Sequence, residues 1–138
     1  MDSPEQRAPG AAPLEPDELL RPGAYPLEPK EVERLETHCS WLFFAGERVY
    51  KVKKPVDLGF LDFTSLEKRK HYCEEEVRLN RRLAPEVYLG VVPITRANGS
   101  LRVGGEGEPL EWAVEMRRLP AHRILAAMLD RARERPAW

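Results

Sequence analysis

Lys51 and Glu76 are the two side chains in this 138-residue chain whose types and spacing suit work on a phosphate group. Lys51 stands in the alternating stretch Arg48-Val49-Tyr50-Lys51-Val52-Lys53-Lys54. As a strand, this puts Val49, Lys51 and Lys53 on one face and Tyr50, Val52 and Lys54 on the other. A strand lysine with an apolar same-face neighbour can meet a phosphate as a point charge while Val49 packs on a flat base. A row of lysines also guards an edge strand against aggregation, and the strand alone leaves both uses open. Glu76 shifts the balance. It falls on a helical stripe with Tyr72, Leu79 and Leu83, the one carboxylate among apolar neighbours. A carboxylate on a buried stripe needs a cation, and a lysine from the preceding strand is the economical partner. The other option is a Glu76 that reaches solvent at the rim of the core. Glu74 and Glu75 lie off the stripe and suit outward pairs with Arg78 and with Arg81 or Arg82.

These two residues need a strand and a helix to hold them. Residues 40–44 and 48–54 are apolar runs joined by Ala45-Gly46-Glu47, which predicts a β-hairpin with Gly46 at the turn. Residues 32–35 read as a short strand or as a first helical turn after Pro29. Thr64-Ser65-Leu66-Glu67 fits a capping box with Thr64 as the cap, so a helix is expected from there to about Ala84, closed by Pro85. Asn98-Gly99 between two further apolar runs marks a second hairpin. A strand over Trp112-Ala113-Val114-Glu115-Met116 follows, and residues 122–133 read as a last amphipathic helix through Ile124, Leu125, Met128 and Leu129. The expected class is α+β, an antiparallel sheet with one long packed helix.

Composition narrows the partners. The 22 basic and 23 acidic residues give a net charge of -1 with no single-sign field, which argues against nucleic acid. The clusters Lys51-Lys53-Lys54 and Lys68-Arg69-Lys70 read as solvated faces. No apolar run is long enough to span a bilayer and no leader pattern opens the chain, so the expectation is a cytoplasmic protein whose Cys39 and Cys73 stay thiols. Seven of the 13 prolines fall within the first 29 residues. Residues 1–20 are therefore expected to be a disordered Pro-rich tail, residues 21–120 the domain, and residues 121–138 a helix and a truncated C-terminus. Tyr25 and Leu27 are candidates to pin an arm onto that domain.

Several blocks now combine: Thr37-His38-Cys39-Ser40-Trp41, then Val49-Tyr50-Lys51-Val52-Lys53-Lys54-Pro55-Val56, then Cys73-Glu74-Glu75-Glu76-Val77-Arg78-Leu79-Asn80-Arg81-Arg82-Leu83-Ala84-Pro85, and Tyr88-Leu89-Gly90-Val91-Val92-Pro93 before Trp112-Ala113-Val114-Glu115-Met116-Arg117-Arg118-Leu119. In order and spacing they resemble the bacterial aminoglycoside-phosphotransferase-like family, of protein-kinase-like fold. Some of its members look fused to a P-loop ATPase or kinase domain. The resemblance covers roughly residues 20–130 and implies the N-terminal, nucleotide-binding lobe of a small-molecule phosphotransferase. It implies that Lys51 contacts the α and β phosphates of ATP and that Glu76 orients Lys51. It further implies that Val49 packs on the adenine, that Met116 and Arg117 belong to the hinge, and that Thr37, His38 and Ser40 lie over the phosphates in place of a Gly-rich loop. No G-x-G-x-x-G occurs, so turn chemistry alone explains that last segment equally well.

The residues that finish such a reaction are not in the sequence. Phosphoryl transfer needs an aspartate for the acceptor hydroxyl and further Asp or Asn ligands for magnesium. None of the three histidines opens an H-x-D motif, and Asp57-Leu58-Gly59 comes too early to be a metal-binding motif and reads as a turn. The expectation is a chain without catalytic residues of its own, which binds magnesium only with a C-terminal lobe. The alternative is a non-catalytic module or split half that docks onto a separate C-terminal lobe or P-loop domain.

Overall fold

The computed structural model describes residues 14–57, 59 and 62–119. Six strands run β1 (Val32–Glu36), β2 (Ser40–Ala45), β3 (Arg48–Lys53), β4 (Tyr88–Ala97), β5 (Ser100–Val103) and β6 (Glu111–Arg117), with helix α1 (Leu66–Asn80) between β3 and β4. They form one antiparallel sheet in the order β1-β2-β3-β6-β4-β5, so the protein is α+β. Both expected hairpins are present. Gly46 turns the first at φ 64°, and Asn98 and Gly99 turn the second at φ 51° and 82°, the left-handed region that such two-residue turns require. Residues 32–36 are a strand, paired with β2 from Val32 opposite Ala45 to Glu36 opposite Trp41.

The sheet is apolar on both faces, and the two faces are covered differently. Leu42, Phe44, Val49, Val114 and Met116 form one buried cluster with Cys73 and Val77 of α1. Phe43, Tyr50, Val52, Ile94 and Ala113 form the other with Leu19, Ala24 and Tyr25 from the N-terminal segment. This corrects the expectation that the tail runs to residue 20. Pro16–Leu20 is a 3-10 helix and Pro22–Ala24 a second one, and Leu19 is 1% exposed. Proline density rules out a long helix here but permits such short turns, and the burial of Leu19 against the sheet favours them. Tyr25 pins the arm: its hydroxyl donates to Leu19 O at 2.5 Å and its ring lies 5.3 Å from that of Tyr50. Leu27, the other expected pin, is exposed.

Helix α1 departs from its expected limits and azimuth. Its cap is Ser65, whose side chain accepts from Lys68 N at 3.1 Å, because the Thr64 amide and hydroxyl are both held by Asp62 Oδ1. It ends at Asn80, four residues earlier than Pro85 alone suggests, with residues 81–83 as turns. Its buried members are Arg69, Cys73 and Val77, while Leu79 is 49% and Leu83 87% exposed. The expected stripe through Leu79 and Leu83 is thus turned away from the sheet by about one residue's rotation, roughly 100°. Ionic contacts, described next, hold the helix at that azimuth. Glu75 pairs outward with Arg78 at 2.6 Å, as the spacing predicts, whereas Arg81 donates to the carbonyls of Tyr88 and Leu89. The expected helix over residues 122–133 lies outside the described residues.

Candidate functional site

Strand alternation and helix spacing bring three charged groups together where α1 crosses β3. Lys51 and Lys53 project from the same face of β3, and Glu76 comes down from α1 between them. Lys51 Nζ donates to Glu76 Oε2 at 3.1 Å and Lys53 Nζ to Oε1 at 2.8 Å. The side chains are 18%, 8% and 14% exposed for Lys51, Lys53 and Glu76, so the cluster is largely but not wholly withdrawn from water. Burial by itself raises the Glu76 carboxyl; the two ammonium groups outweigh it and hold the group down at about 2, against an ordinary 4.5. Glu76 is therefore a carboxylate at neutral pH. Lys53 also stands 5.2 Å from the centre of the Phe63 ring, a cation over a π face.

A second ionic contact fixes the helix from its other end. Arg69 Nε donates to both oxygens of Glu111, at 3.1 and 2.9 Å, and its Nη1 donates to Phe63 O at 2.8 Å. Glu111 also accepts from the Trp112 amide at 3.2 Å. Arg69 is 9% and Glu111 5% exposed. Burial pushes the Glu111 carboxyl above its ordinary value, with Arg69 and the Trp112 amide pulling it back. Arg69 therefore belongs to the core, which corrects the reading of Lys68-Arg69-Lys70 as a wholly solvated face. The sequence carried one signal for it: Arg69, Cys73 and Val77 recur at four-residue steps.

The remaining residues of interest are arranged along the same sheet. Residues 37–40 turn between β1 and β2, and the register puts Ser40 opposite Lys53 and Leu42 opposite Lys51, so this turn adjoins the lysine end of β3. Its polar groups are spent on the turn itself. Thr37 Oγ1 donates to Ser40 O at 3.2 Å and accepts from Ser40 N at 3.1 Å, and both residues are buried. His38 is exposed at the tip. At the other end of β3, Val49 faces Met116 and Arg48 faces Arg117. Val49 is 0% and Met116 3% exposed, and both belong to the one cluster buried beneath α1. The Arg117 amide donates to Val87 O and the Arg118 amide to Glu47 O. Asp57 and Gly59 make a turn closed by the Gly59 amide on Asp57 Oδ1 at 2.8 Å. Among the described residues no three His, Cys, Asp or Glu side chains converge on a metal position, and no helix is long and apolar enough to cross a membrane. Cys73, beside the ionic cluster, is fully buried, and burial raises its thiol to about 12, so it remains protonated and unreactive.

No family model matches the chain, and no solved structure does. Uncharacterised proteins of Mycobacterium tuberculosis and Mycobacterium bovis are 39% identical to it over 94 residues. That stretch is 68% of this chain and 17% of those proteins, so the chain spans about a sixth of the length of the curated relatives it matches.

Proposed function

We propose that this domain is the nucleotide-binding lobe of a kinase-like, small-molecule phosphotransferase related to the aminoglycoside phosphotransferases, with ATP as the nucleotide. The observation that carries the reading is the 3.1 Å contact between Lys51 on β3 and Glu76 on the helix that follows it. In protein kinases a β3 lysine paired with a glutamate of the next helix positions the phosphates of ATP. The sheet register supports it further. The turn at residues 37–40 lies at the lysine end of β3 and residues 116–118 at its start, separated by about 13 Å of strand, a span suited to a nucleotide laid along β3. In this reading Lys51 meets the phosphates, Glu76 aims Lys51, and residues 116–118 form the hinge beside the base. Val49 and Met116 contribute the floor beneath it, and Thr37 and Ser40 shape the turn through their mutual hydrogen bonds rather than by offering hydroxyls. The aspartates for the acceptor and for magnesium come from a second lobe, for which the exposed Leu79 and Leu83 offer apolar surface. The compartment that fits ATP and buried cysteine thiols is the cytoplasm.

Calorimetric titration of the 138-residue chain with ATP tests this. Wild type is expected to bind saturably, and Lys51→Ala to lose at least about tenfold in affinity, the equivalent of one charge-assisted contact. Equal binding by the two chains, or none by wild type, overturns the reading.

A further inference from the structure

Two lysines share one carboxylate, an arrangement the proposed function does not itself require. We propose that Lys53 is a positioning residue, the standing counter-ion of Glu76, whose presence lets Lys51 turn from Glu76 to a phosphate-bearing ligand. The proposal rests on the reading of Lys51 given above.

The two ammonium groups are not equivalent. Lys53 makes the shorter contact, 2.8 Å to Oε1, is the more buried of the two, and has its other side covered by the Phe63 ring. Lys51 takes the other oxygen at 3.1 Å and keeps more than twice the exposure. An ammonium has three donors, so Lys51 retains two for a ligand. Withdrawing the sole partner of a buried carboxylate strands a charge in the core, which is strongly unfavourable. A lysine that was the only counter-ion of Glu76 would therefore resist leaving it. With Lys53 fixed on Oε1, Glu76 stays compensated when Lys51 turns.

Charge counting leads to the same place. Lys51, Lys53 and Glu76 sum to one surplus positive charge. The neighbouring Arg69 and Glu111 cancel, and the protonated Cys73 adds nothing. Two ammonium groups held against one carboxylate repel each other, and an anion arriving at Lys51 relieves that repulsion. Phosphate oxygens of a nucleoside triphosphate have the required chemistry.

The test is a double-mutant cycle on the 138-residue chain, with ATP and inorganic tripolyphosphate titrated into wild type, Lys53→Met, Glu76→Gln and the double variant. Lys53→Met is expected to weaken both ligands about tenfold, because Lys51 is then held by Glu76 alone. In the Glu76→Gln background the same substitution is expected to change affinity less than about twofold, since no carboxylate competes for Lys51. Lys53→Arg, which keeps the charge, is expected to bind as wild type does. An equal loss in both backgrounds would make Lys53 a direct phosphate ligand and overturn the positioning role, as would an unchanged affinity in Lys53→Met. If wild type binds neither ligand, the reading of Lys51 fails by itself, and carbon-detected NMR titration of the Glu76 carboxyl still decides the matter. Lys53→Met should raise that carboxyl further than Lys51→Met does; an equal or smaller rise overturns the role assigned to Lys53.

Discussion

Helix α1 is fastened to the sheet by two buried ionic clusters that look alike in type and behave in opposite ways. At Glu76 one carboxylate meets two lysines, and its pKa is lowered to about 2. At Glu111 one carboxylate meets one arginine in a still drier setting, 5% exposed, and its pKa is raised. The difference shows that counter-ion count, weighed against desolvation, decides whether a buried carboxylate is electrostatically favoured. The Arg69 and Glu111 pair is neutral, closed by the Phe63 carbonyl and the Trp112 amide, and has no charge to offer a ligand. The lysine cluster carries a surplus charge and retains partial access to water. A closed neutral pair suits a clamp, and an open charged one suits a site.

The largest effect expected from this contrast is at the clamp. Arg69→Met leaves Glu111 buried without its cation and should cost about 3–5 kcal/mol in urea unfolding at neutral pH. Combining it with Glu111→Leu should recover most of that loss, because a well-packed apolar pair replaces a neutral ionic one of similar volume. Additive losses would show that the pair contributes more than clamping. The acid limb of stability separates the clusters next. Glu76 has a folded pKa below its ordinary 4.5, so its contribution is present above pH 4.5 and is lost as pH falls towards about 2. That contribution amounts to roughly 3 kcal/mol. Glu111 works in the other sense: its folded pKa is raised, so what it contributes is present below the unfolded value and is lost as pH rises through the folded one. In unfolding followed from pH 6 to pH 2, Glu76→Gln should therefore flatten the acid loss seen in wild type. An unchanged acid limb would remove the electrostatic distinction between the clusters. The smallest effect expected is at Phe63, which touches both, its ring under Lys53 and its carbonyl on Arg69. Phe63→Leu removes the ring and keeps the carbonyl, and should cost about 1 kcal/mol while raising the Glu76 carboxyl and leaving that of Glu111 in place by NMR titration.

Much of the candidate site was legible before any fold was known. Face alternation along β3 correctly grouped Val49, Lys51 and Lys53, and Glu76 does meet Lys51, although the stripe through Leu79 and Leu83 that selected it faces away from the sheet. From β3 alone Lys53 reads as a surface lysine, because only Lys51 has an apolar residue two places earlier and nothing in that strand shows how closely a helix will cross it. Leu79 and Leu83 misled for a related reason. Hydrophobicity weights leucine above arginine, whereas the helix turned Arg69 inward because Glu111, 42 residues away, was there to receive it. The cap was misplaced by one residue since Asp62 had already taken Thr64.

The sequence by itself determined the hairpins at Gly46 and Asn98-Gly99 and the strand faces, because each depends on a turn conformation or a period set within a few residues. The tertiary structure alone decided the azimuth of α1, the second lysine on Glu76 and the packing of Leu19 and Tyr25 over the far face of the sheet. Those depend on which distant groups meet. A buried charge or an uncovered apolar face is satisfied by whatever partner the completed sheet brings within reach, and short-range sequence pattern does not carry that information.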